Sequence, residues 1–173
     1  SLPSNMQEDM EDVVSASHTL LEIVGNIMDI SKIESDKLEI TEVEYDLKKE
    51  AMTLFKINGS RIGDKEINYT INIAEDIPDI LIGDKIHVKQ IINNILSNAI
   101  KYTEKGSINF NIKCINKKNN CLLFITVTDT GRGIKKEYIN KLFTKFERLD
   151  VEKNTTTEGT GLGLAITKKL VEM

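Results

Sequence analysis

The stretch that decides the fold is Ile91–Gly106, which reads IINNILSNAIKYTEKG. Its apolar residues recur with helical periodicity, and its polar residues Asn94, Asn98, Lys101 and Lys105 fall on one face of the same helix. Asparagine is unfavourable inside a helix, because its amide competes for the hydrogen bonds of the backbone. Two asparagines one turn apart therefore call for an explanation.

Two interpretations of this polar face are open. Amide oxygens are good ligands for a hard divalent cation, and an ammonium group attracts phosphate, so the face can bind a metal ion and a phosphate group. Alternatively, it is an ordinary solvated helix face, on which lysine is common. This stretch alone does not decide between them.

A second candidate lies in residues 121–134, CLLFITVTDTGRGI. The pattern predicts a strand with an apolar row on one side, and this row ends in the carboxylate of Asp129. A partly shielded carboxylate needs a hydrogen-bond donor, such as the exocyclic amine of a purine. Gly131 and Gly133 permit positive φ and the close approach of a flat ring. The alternative is a tight turn, in which aspartate is common.

A third candidate is EGTGLGLAI, residues 158–166. Gly159, Gly161 and Gly163 precede or open a helix, whose free N–H groups and dipole can bind phosphate. It is not a Walker loop, because no GK[ST] follows, and it is not a dinucleotide fingerprint, because Ile166 stands where a third glycine would be expected. The alternative is a flexible loop that leads into a helix.

The remainder of the chain predicts a helical arm followed by a layered α+β domain. A long helix over Asn5–Ser35 has a broad apolar side, which predicts packing in a helical bundle and pairing with a partner chain. We predict strands at 37–47, 66–74, 107–115 and 121–129, and helices at 48–59, 84–106, 135–146 and 162–173. Cys114 and Cys121 flank the turn of a hairpin, across which they could face each other as reduced thiols.

The composition is typical of a soluble globular domain with an appendage: 173 residues, 40% hydrophobic, 29% charged and without tryptophan. The net charge of −4 argues against a nucleic-acid or anionic-membrane partner. No apolar run approaches the ~20 residues of a membrane span, and the polar, acidic N-terminal segment does not read as a signal peptide. Two cysteines and two scattered histidines do not indicate a zinc site.

In this order and spacing, the three candidates resemble the ATP-binding domain of sensor histidine kinases, in the superfamily shared with Hsp90-type chaperones, type II topoisomerases and mismatch-repair ATPases. NNILSNAIKYT (93–103) is similar to the N box of that family and DTGRG (129–133) to its G1 box. LFTKF and ERLD (142–150) are similar to its F box and the start of its ATP lid, and GTGLGLAI (159–166) to its G2 box. Upstream, residues 18–40 resemble the second helix of the dimerisation domain.

The resemblance implies a two-layer α/β sandwich of the Bergerat type, preceded by a long helix of a dimerisation bundle. Residues 1–40 would be the second helix of the dimerisation and histidine-phosphotransfer domain with its linker. Residues 41–173 would be the catalytic ATP-binding domain, truncated at its C-terminus. The implied ligands are ATP and Mg²⁺.

The resemblance also implies individual roles. Asn94 and Asn98 would hold the metal, and Asn94, Lys101 and Arg148 would take part in catalysis. Phe143 and Phe146 would pack the base of the lid. The residues implied to bind the nucleotide are Asn94, Asn98, Lys101, Tyr102, Asp129, Gly131, Gly133, Ile134, Arg148, Gly159, Thr160, Gly161, Leu162 and Gly163.

In the superfamily that this sequence resembles, the ATP-hydrolysing members have a glutamate four residues before the metal-binding asparagine, and this glutamate activates water as a general base. This sequence has Asn94 at that position, and an amide cannot take up the proton. The resemblance therefore implies transfer of the γ-phosphoryl group to a histidine imidazole, by positioning and by charge neutralisation with Mg²⁺, Lys101 and Arg148. A non-catalytic ATP-binding regulatory module and a chaperone-like ATPase are the alternatives.

Neither histidine of this chain matches the phosphoacceptor of the family, which is followed by an acidic residue and then by proline. We expect His18 to be a bundle residue and His87 to be structural or exposed. The chain is therefore expected to be a portion of a longer kinase, cytoplasmic here, with a membrane anchor of the parent protein left open. The expected partners are ATP, a phosphoacceptor helix, the receiver domain of a response regulator and a second copy bound through the N-terminal helix.

Overall fold

The structure is a computed structural model that describes residues 4–118, 120–144 and 161–173. Within these ranges it has four α-helices, five strands and one short 3₁₀ helix, which confirms the predicted α+β class. In chain order these are α1 (Ser4–Glu34), β1 (Val43–Tyr45), α2 (Leu47–Gly59), β2 (Glu66–Ile73), β3 (Leu81–Gly83), α3 (Lys85–Tyr102), β4 (Lys105–Asn116), β5 (Cys121–Asp129), the 3₁₀ helix (Lys136–Lys141) and α4 (Gly163–Glu172).

The main sheet has three strands in the order β2-β4-β5. β2 runs parallel to the central strand β4, and β5 returns antiparallel to it as the predicted hairpin. β1 and β3 form a separate two-stranded antiparallel sheet. Along β2 and β5 exposed and partly buried residues alternate, so one face of the sheet is covered and the other is solvated.

Helices α2 and α3 pack on the covered face and form the second layer of the predicted sandwich. Their apolar stripes meet the alternate residues of β4, and full burial of one such aliphatic or aromatic side chain stabilises the fold by roughly 1.5–3 kcal/mol. This core includes Leu47, Leu54, Ile92, Leu96, Phe110 and Ile112. Because α3 buries its apolar stripe here, its polar face must point away from the sheet.

The start of α3 is held by Asp84, which caps the helix as the sequence predicts. Its carboxylate accepts from the backbone N–H of His87 (3.0 Å) and of Thr41 (3.0 Å), and it lies 2.7 Å from His87 Nδ1. Burial raises the pKa of the Asp84 carboxyl, but the hydrogen bonds from His87 and Thr41 outweigh burial and hold this pKa below its ordinary value of 3.8. His87 is therefore structural, one of the two roles expected for it.

We predict that Asp84→Ala lowers the free energy of unfolding by about 2 kcal/mol at pH 7, because it removes a helix cap and two further hydrogen bonds. The matched control is Asp46→Ala at the start of α2, where, among the described residues, the carboxylate accepts from the Lys49 N–H alone (2.9 Å) and the expected loss is about 1 kcal/mol. Because folding lowers the pKa of Asp84, its contribution is present above the unfolded-state pKa and is lost as pH falls through the folded-state value. Urea unfolding in buffers from pH 7 downward measures the difference, and an Asp84→Ala deficit that does not shrink in acid contradicts this assignment.

The sequence prediction that α3 continues to Gly106 is wrong. The chain leaves the helix at Thr103, which is extended, with φ of −109° and ψ of 121°. The Lys65 ammonium donates to the carbonyl oxygens of Ile100 (2.9 Å) and Thr103 (3.1 Å), so it binds the last free carbonyls of α3 from outside. Lys105 and Gly106 belong to β4, where parallel pairing with β2 replaces helical bonding.

Two other elements are shorter than predicted. Of residues 37–47, only β1 is a strand, because its partner β3 is three residues long and offers no further pairing. The segment before β1 instead packs Leu38 against the cluster between α1 and α4. Of residues 135–146, the described part contains the short 3₁₀ helix, not an α-helix.

The two cysteines do not sit directly opposite each other in the hairpin. Cys114 lies opposite Leu123 and Cys121 lies opposite Asn116, so the two cysteines are offset by two residues and lie on the same face of the hairpin. Both thiols are free.

Helix α1 contacts the rest of the protein near its C-terminal end. Ile30 is buried there against Ile166 and Leu170 of α4, and Gln90 Nε2 donates to Asp29 Oδ2 over 2.7 Å. The apolar residues of α1 that remain exposed include Met10, Val13, Val14, Leu20, Leu21, Val24, Ile27 and Met28. Among the described helices, none has the length and apolar character needed to cross a membrane.

Candidate nucleotide-binding site

The polar face of α3 points toward α4. Asn94 and Asn98 are both partly buried on it, and Asn94 Nδ2 donates to Thr167 Oγ1 over 2.6 Å. Lys101 follows on the next turn, with Nζ 5.2 Å from the ring centre of Tyr102. The predicted series of amide, amide and ammonium therefore lies on one helix face, without Lys105, which is in β4.

Asp129 is the last residue of β5 and is paired with Ile108 of β4. Its Oδ1 accepts from the backbone N–H of Gly131 over 2.9 Å and so closes the turn after the strand. The expectation that this carboxylate is partly shielded is wrong: Asp129 is exposed, because it ends a strand at the edge of the described sheet. The turn role and an acceptor role toward a ligand are compatible, because the carboxylate has two oxygens.

Gly131 occupies a position without room for a side chain. A Cβ there would collide with the carbonyl oxygen of Tyr102, and it would lie 2.8 Å from Asp129 Oδ1 and 2.9 Å from Thr103 Oγ1. Thr103 is fully buried, and its hydroxyl has no hydrogen-bond partner among the described residues. Such a hydroxyl costs about 1–3 kcal/mol unless a water molecule or another polar group satisfies it.

A cleft of about 460 Å³ opens between the end of α3, the start of β4 and the turn after β5. One wall is made by Arg132, whose guanidinium carbon lies 4.5 Å from the ring centre of Tyr102 and whose backbone N–H donates to the Tyr102 carbonyl oxygen over 3.3 Å. A cationic group stacked on an aromatic ring forms a flat, positive surface that suits a planar anionic ligand. The cleft is lined by Lys101, Tyr102, Glu104, Lys105, Thr130, Gly131 and Arg132.

The glycine-rich segment is described from Gly161 onward. Gly161 has φ of +69°, Leu162 is buried, and Gly163 opens α4. A Cβ on Gly163 would collide with Asn94 Oδ1 and lie 2.9 Å from Asn94 Cγ, so the two elements are in direct contact. The free N–H groups of the first turn of α4 therefore lie beside the amide face of α3, where the helix dipole favours an anion.

Of the other predicted residues, some are described by the structure and some are not. Gly133 has φ of +67°, which a glycine adopts freely, and the neighbouring Ile134 is half exposed. Phe143, expected to pack the base of the lid, keeps 46% exposure and lies 5.7 Å from the Lys168 ammonium, so it packs only in part. Four predicted residues lie outside the described residues: Phe146, Arg148, Gly159 and Thr160.

The donor set fits a magnesium nucleotide better than a metal ion held by the protein alone. In the part of the chain that the structure describes, no group of three or more His, Cys, Asp or Glu side chains is placed to hold an ion. The amides of Asn94 and Asn98 offer two neutral oxygens, and Mg²⁺ commonly completes so small a set of protein ligands with water and substrate phosphates. The nearby ammonium of Lys101 and the start of α4 suit the same phosphates.

Three residues of this site had no role in the sequence analysis. Thr167 follows Gly163 by four residues, so helical spacing was a signal that both face the same way. Thr103 and Arg132 stand inside the motifs, but the burial of one and the stacking of the other depend on how α3 and the turn after β5 meet.

The chain belongs to the family of histidine kinase-, DNA gyrase B- and HSP90-like ATPases, whose model matches residues 83–173. It is 34% identical to hybrid signal transduction histidine kinase B of Dictyostelium discoideum, over 100% of this chain and 9% of that protein. It is 32% identical to the signal transduction histidine-protein kinase BarA of Escherichia coli (strain K12), over 98% of this chain and 19% of that protein. The resemblance to the catalytic ATP-binding domain of sensor histidine kinases is thus confirmed.

Solved structures agree with this assignment of the fold. Full-length ShkA in complex with AMPPNP superposes with a TM-score of 0.77 at 22% identity, over 99% of this chain and 35% of that one. The catalytic domain of the histidine kinase ThkA superposes with a TM-score of 0.60 at 28% identity, over 78% of this chain and 81% of that one. The chain spans 9% and 19% of the length of the two curated relatives named above.

Proposed function

We propose that the chain is the catalytic portion of a two-component sensor histidine kinase. It binds Mg²⁺-ATP and transfers the γ-phosphoryl group to a histidine on a dimerisation helix outside this chain, for relay to an aspartate of a response-regulator receiver domain. The observation that carries the proposal is the contact of Gly163 with the Asn94 amide, since it brings the glycine-rich segment and the amide face of α3 together. The name and kinase assignment of the relatives support the same function.

The proposed chemistry depends on positioning. Asn94 stands where a water-activating acid would be needed for hydrolysis, and its amide cannot act as a general base. Bound Mg²⁺ supplies neutralisation of phosphate charge. Lys101 orients the phosphates from α3, Asp129 accepts from the purine amine, and Tyr102 with Arg132 forms the wall of the cleft. Arg148, Gly159 and Thr160 keep the phosphate-contacting roles proposed for them.

We further propose that residues 1–40 belong to the dimerisation domain and residues 41–173 to the catalytic domain. The exposed apolar residues along α1 support this division, because a helix with so broad an apolar face needs a partner helix. That partner is a second copy of the chain together with the phosphoacceptor helix. The site operates in the cytoplasm, where its phosphoryl donor is supplied.

The proposal is tested by calorimetry followed by a transfer assay. The chain is titrated with ATP in the presence of Mg²⁺, and heat of binding is expected. It is then incubated with labelled ATP and a separately produced dimerisation hairpin that carries the acceptor histidine. We expect label on the hairpin that is labile in acid and stable in base, as a phosphohistidine is.

Other outcomes of this assay identify the alternatives. ATP binding without transfer, together with nucleotide-dependent association with the hairpin, indicates a non-catalytic regulatory module. Phosphate release that disappears on substitution of Asn94 indicates an ATPase. No heat from ATP overturns the proposed function altogether.

A further inference from the structure

The amide of Asn94 is held by α4 at two points. Its Nδ2 donates to the hydroxyl oxygen of Thr167 over 2.6 Å, and its Oδ1 lies so close to Gly163 that a Cβ there would collide with it. Gly163 and Thr167 are one helical turn apart, so the amide lies along the first turns of α4. Thr167 is 9% exposed, which keeps competing water away from this hydrogen bond.

An amide group has a donor end and an acceptor end, and only the oxygen can bind a cation. A threonine hydroxyl within a helix can give its own proton to the carbonyl one turn earlier, which leaves its lone pairs to accept from a neighbour. The NH₂ of Asn94 donates to Thr167, and its oxygen is thereby directed toward Gly163 at the start of α4. Without the hydroxyl, the two ends of the amide would exchange, and the NH₂ group would repel a cation for part of the time.

We propose that Thr167 is a positioning residue for metal binding: it holds the Asn94 amide with its oxygen available to Mg²⁺. The inference rests on the proposed function, because it assumes that Asn94 meets the metal of a bound nucleotide. It extends that function to a residue of α4 whose hydroxyl accepts a hydrogen bond from the Asn94 amide. Loss of a group that orients a metal ligand typically costs 10–100-fold in affinity.

The test compares Thr167→Val, which keeps the shape and removes the hydroxyl, with Thr167→Ser, which keeps the hydroxyl. ATP affinity is measured by calorimetry with Mg²⁺ and with EDTA. We expect Thr167→Val to reduce the gain in affinity due to Mg²⁺ by about tenfold and to leave the affinity in EDTA unchanged. Thr167→Ser should restore the gain.

A second readout needs no ligand. In the chain without nucleotide, the side-chain amide signal of Asn94 in ¹⁵N-labelled protein should shift in Thr167→Val and stay near its wild-type position in Thr167→Ser. Equal Mg²⁺ gains in wild type and Thr167→Val, or equal losses with and without Mg²⁺, overturn the positioning role. If wild-type protein binds no ATP, the proposed function fails first, and this inference fails with it.

Discussion

Asp129→Asn is expected to weaken ATP binding by between about tenfold and a hundredfold, as hydrogen bonds to charged groups contribute roughly 1.5–3 kcal/mol and each 1.4 kcal/mol is about tenfold. Asparagine keeps the oxygen that accepts from the Gly131 N–H, so the turn itself should survive. What is lost is the second carboxylate oxygen, since the amide presents a donor where a purine amine also presents one. Calorimetry in the presence of Mg²⁺ gives the affinity directly.

The control for this substitution is Asp64→Asn, which removes the same charge from an exposed turn after α2. It should bind ATP as wild type does. Both variants should unfold at the wild-type urea concentration, because neither carboxylate is buried. Wild-type affinity in Asp129→Asn would exclude this aspartate as the purine acceptor.

Gly131→Ala is expected to lower the free energy of unfolding by roughly 2–3 kcal/mol, as overpacking does at a site that cannot yield. The added Cβ meets the carbonyl oxygen of Tyr102, which is backbone and fixed by the end of α3, and it also meets Thr103 Oγ1 at 2.9 Å. The turn must therefore move away, and the Asp129 carboxylate must move with it. ATP binding should fall below detection in the same variant.

A matched control is available in Gly25→Ala. Gly25 lies within α1, and a Cβ there has nothing within 4 Å. Alanine should increase stability by about 0.5–1 kcal/mol through helix propensity alone, with no change in ATP affinity. Urea unfolding compares the two, and a Gly131→Ala variant within 0.5 kcal/mol of wild type would show that the turn adapts easily.

The local sequence pattern was sufficient to predict the elements whose ends are stabilised by residues close to them in sequence. Helix α2, the start of α3 at Asp84 and the hairpin of β4 and β5 carry their caps and turns within a few residues. The end of α3 was mispredicted because the group that binds its last carbonyls is Lys65, which is 35 residues or more away in sequence. Residues 37–47 look like a strand, but their pairing is limited by the length of β3.

The features of the candidate site likewise divide into those that the sequence predicted and those that only the structure shows. The residue types and their spacing predicted a polar helix face, a carboxylate followed by glycines, and a glycine-rich start of a helix. Spacing could not reveal that Asn94 bonds to Thr167, that Gly131 leaves no room beside Tyr102, or that the Asp129 carboxylate is exposed. These facts depend on how α3, α4 and the turn after β5 meet.

The sequence by itself determined the periodicities, the caps and the chemical groups available for binding, because these depend on residues within one or two turns of each other. Only the tertiary structure decided where α3 ends, which face of α4 meets it and which residues of α4 the Asn94 amide contacts. Those outcomes depend on contacts between residues tens of positions apart, such as the 73 residues that separate Asn94 from Thr167. Helical or strand periodicity carries no information about partners at that distance.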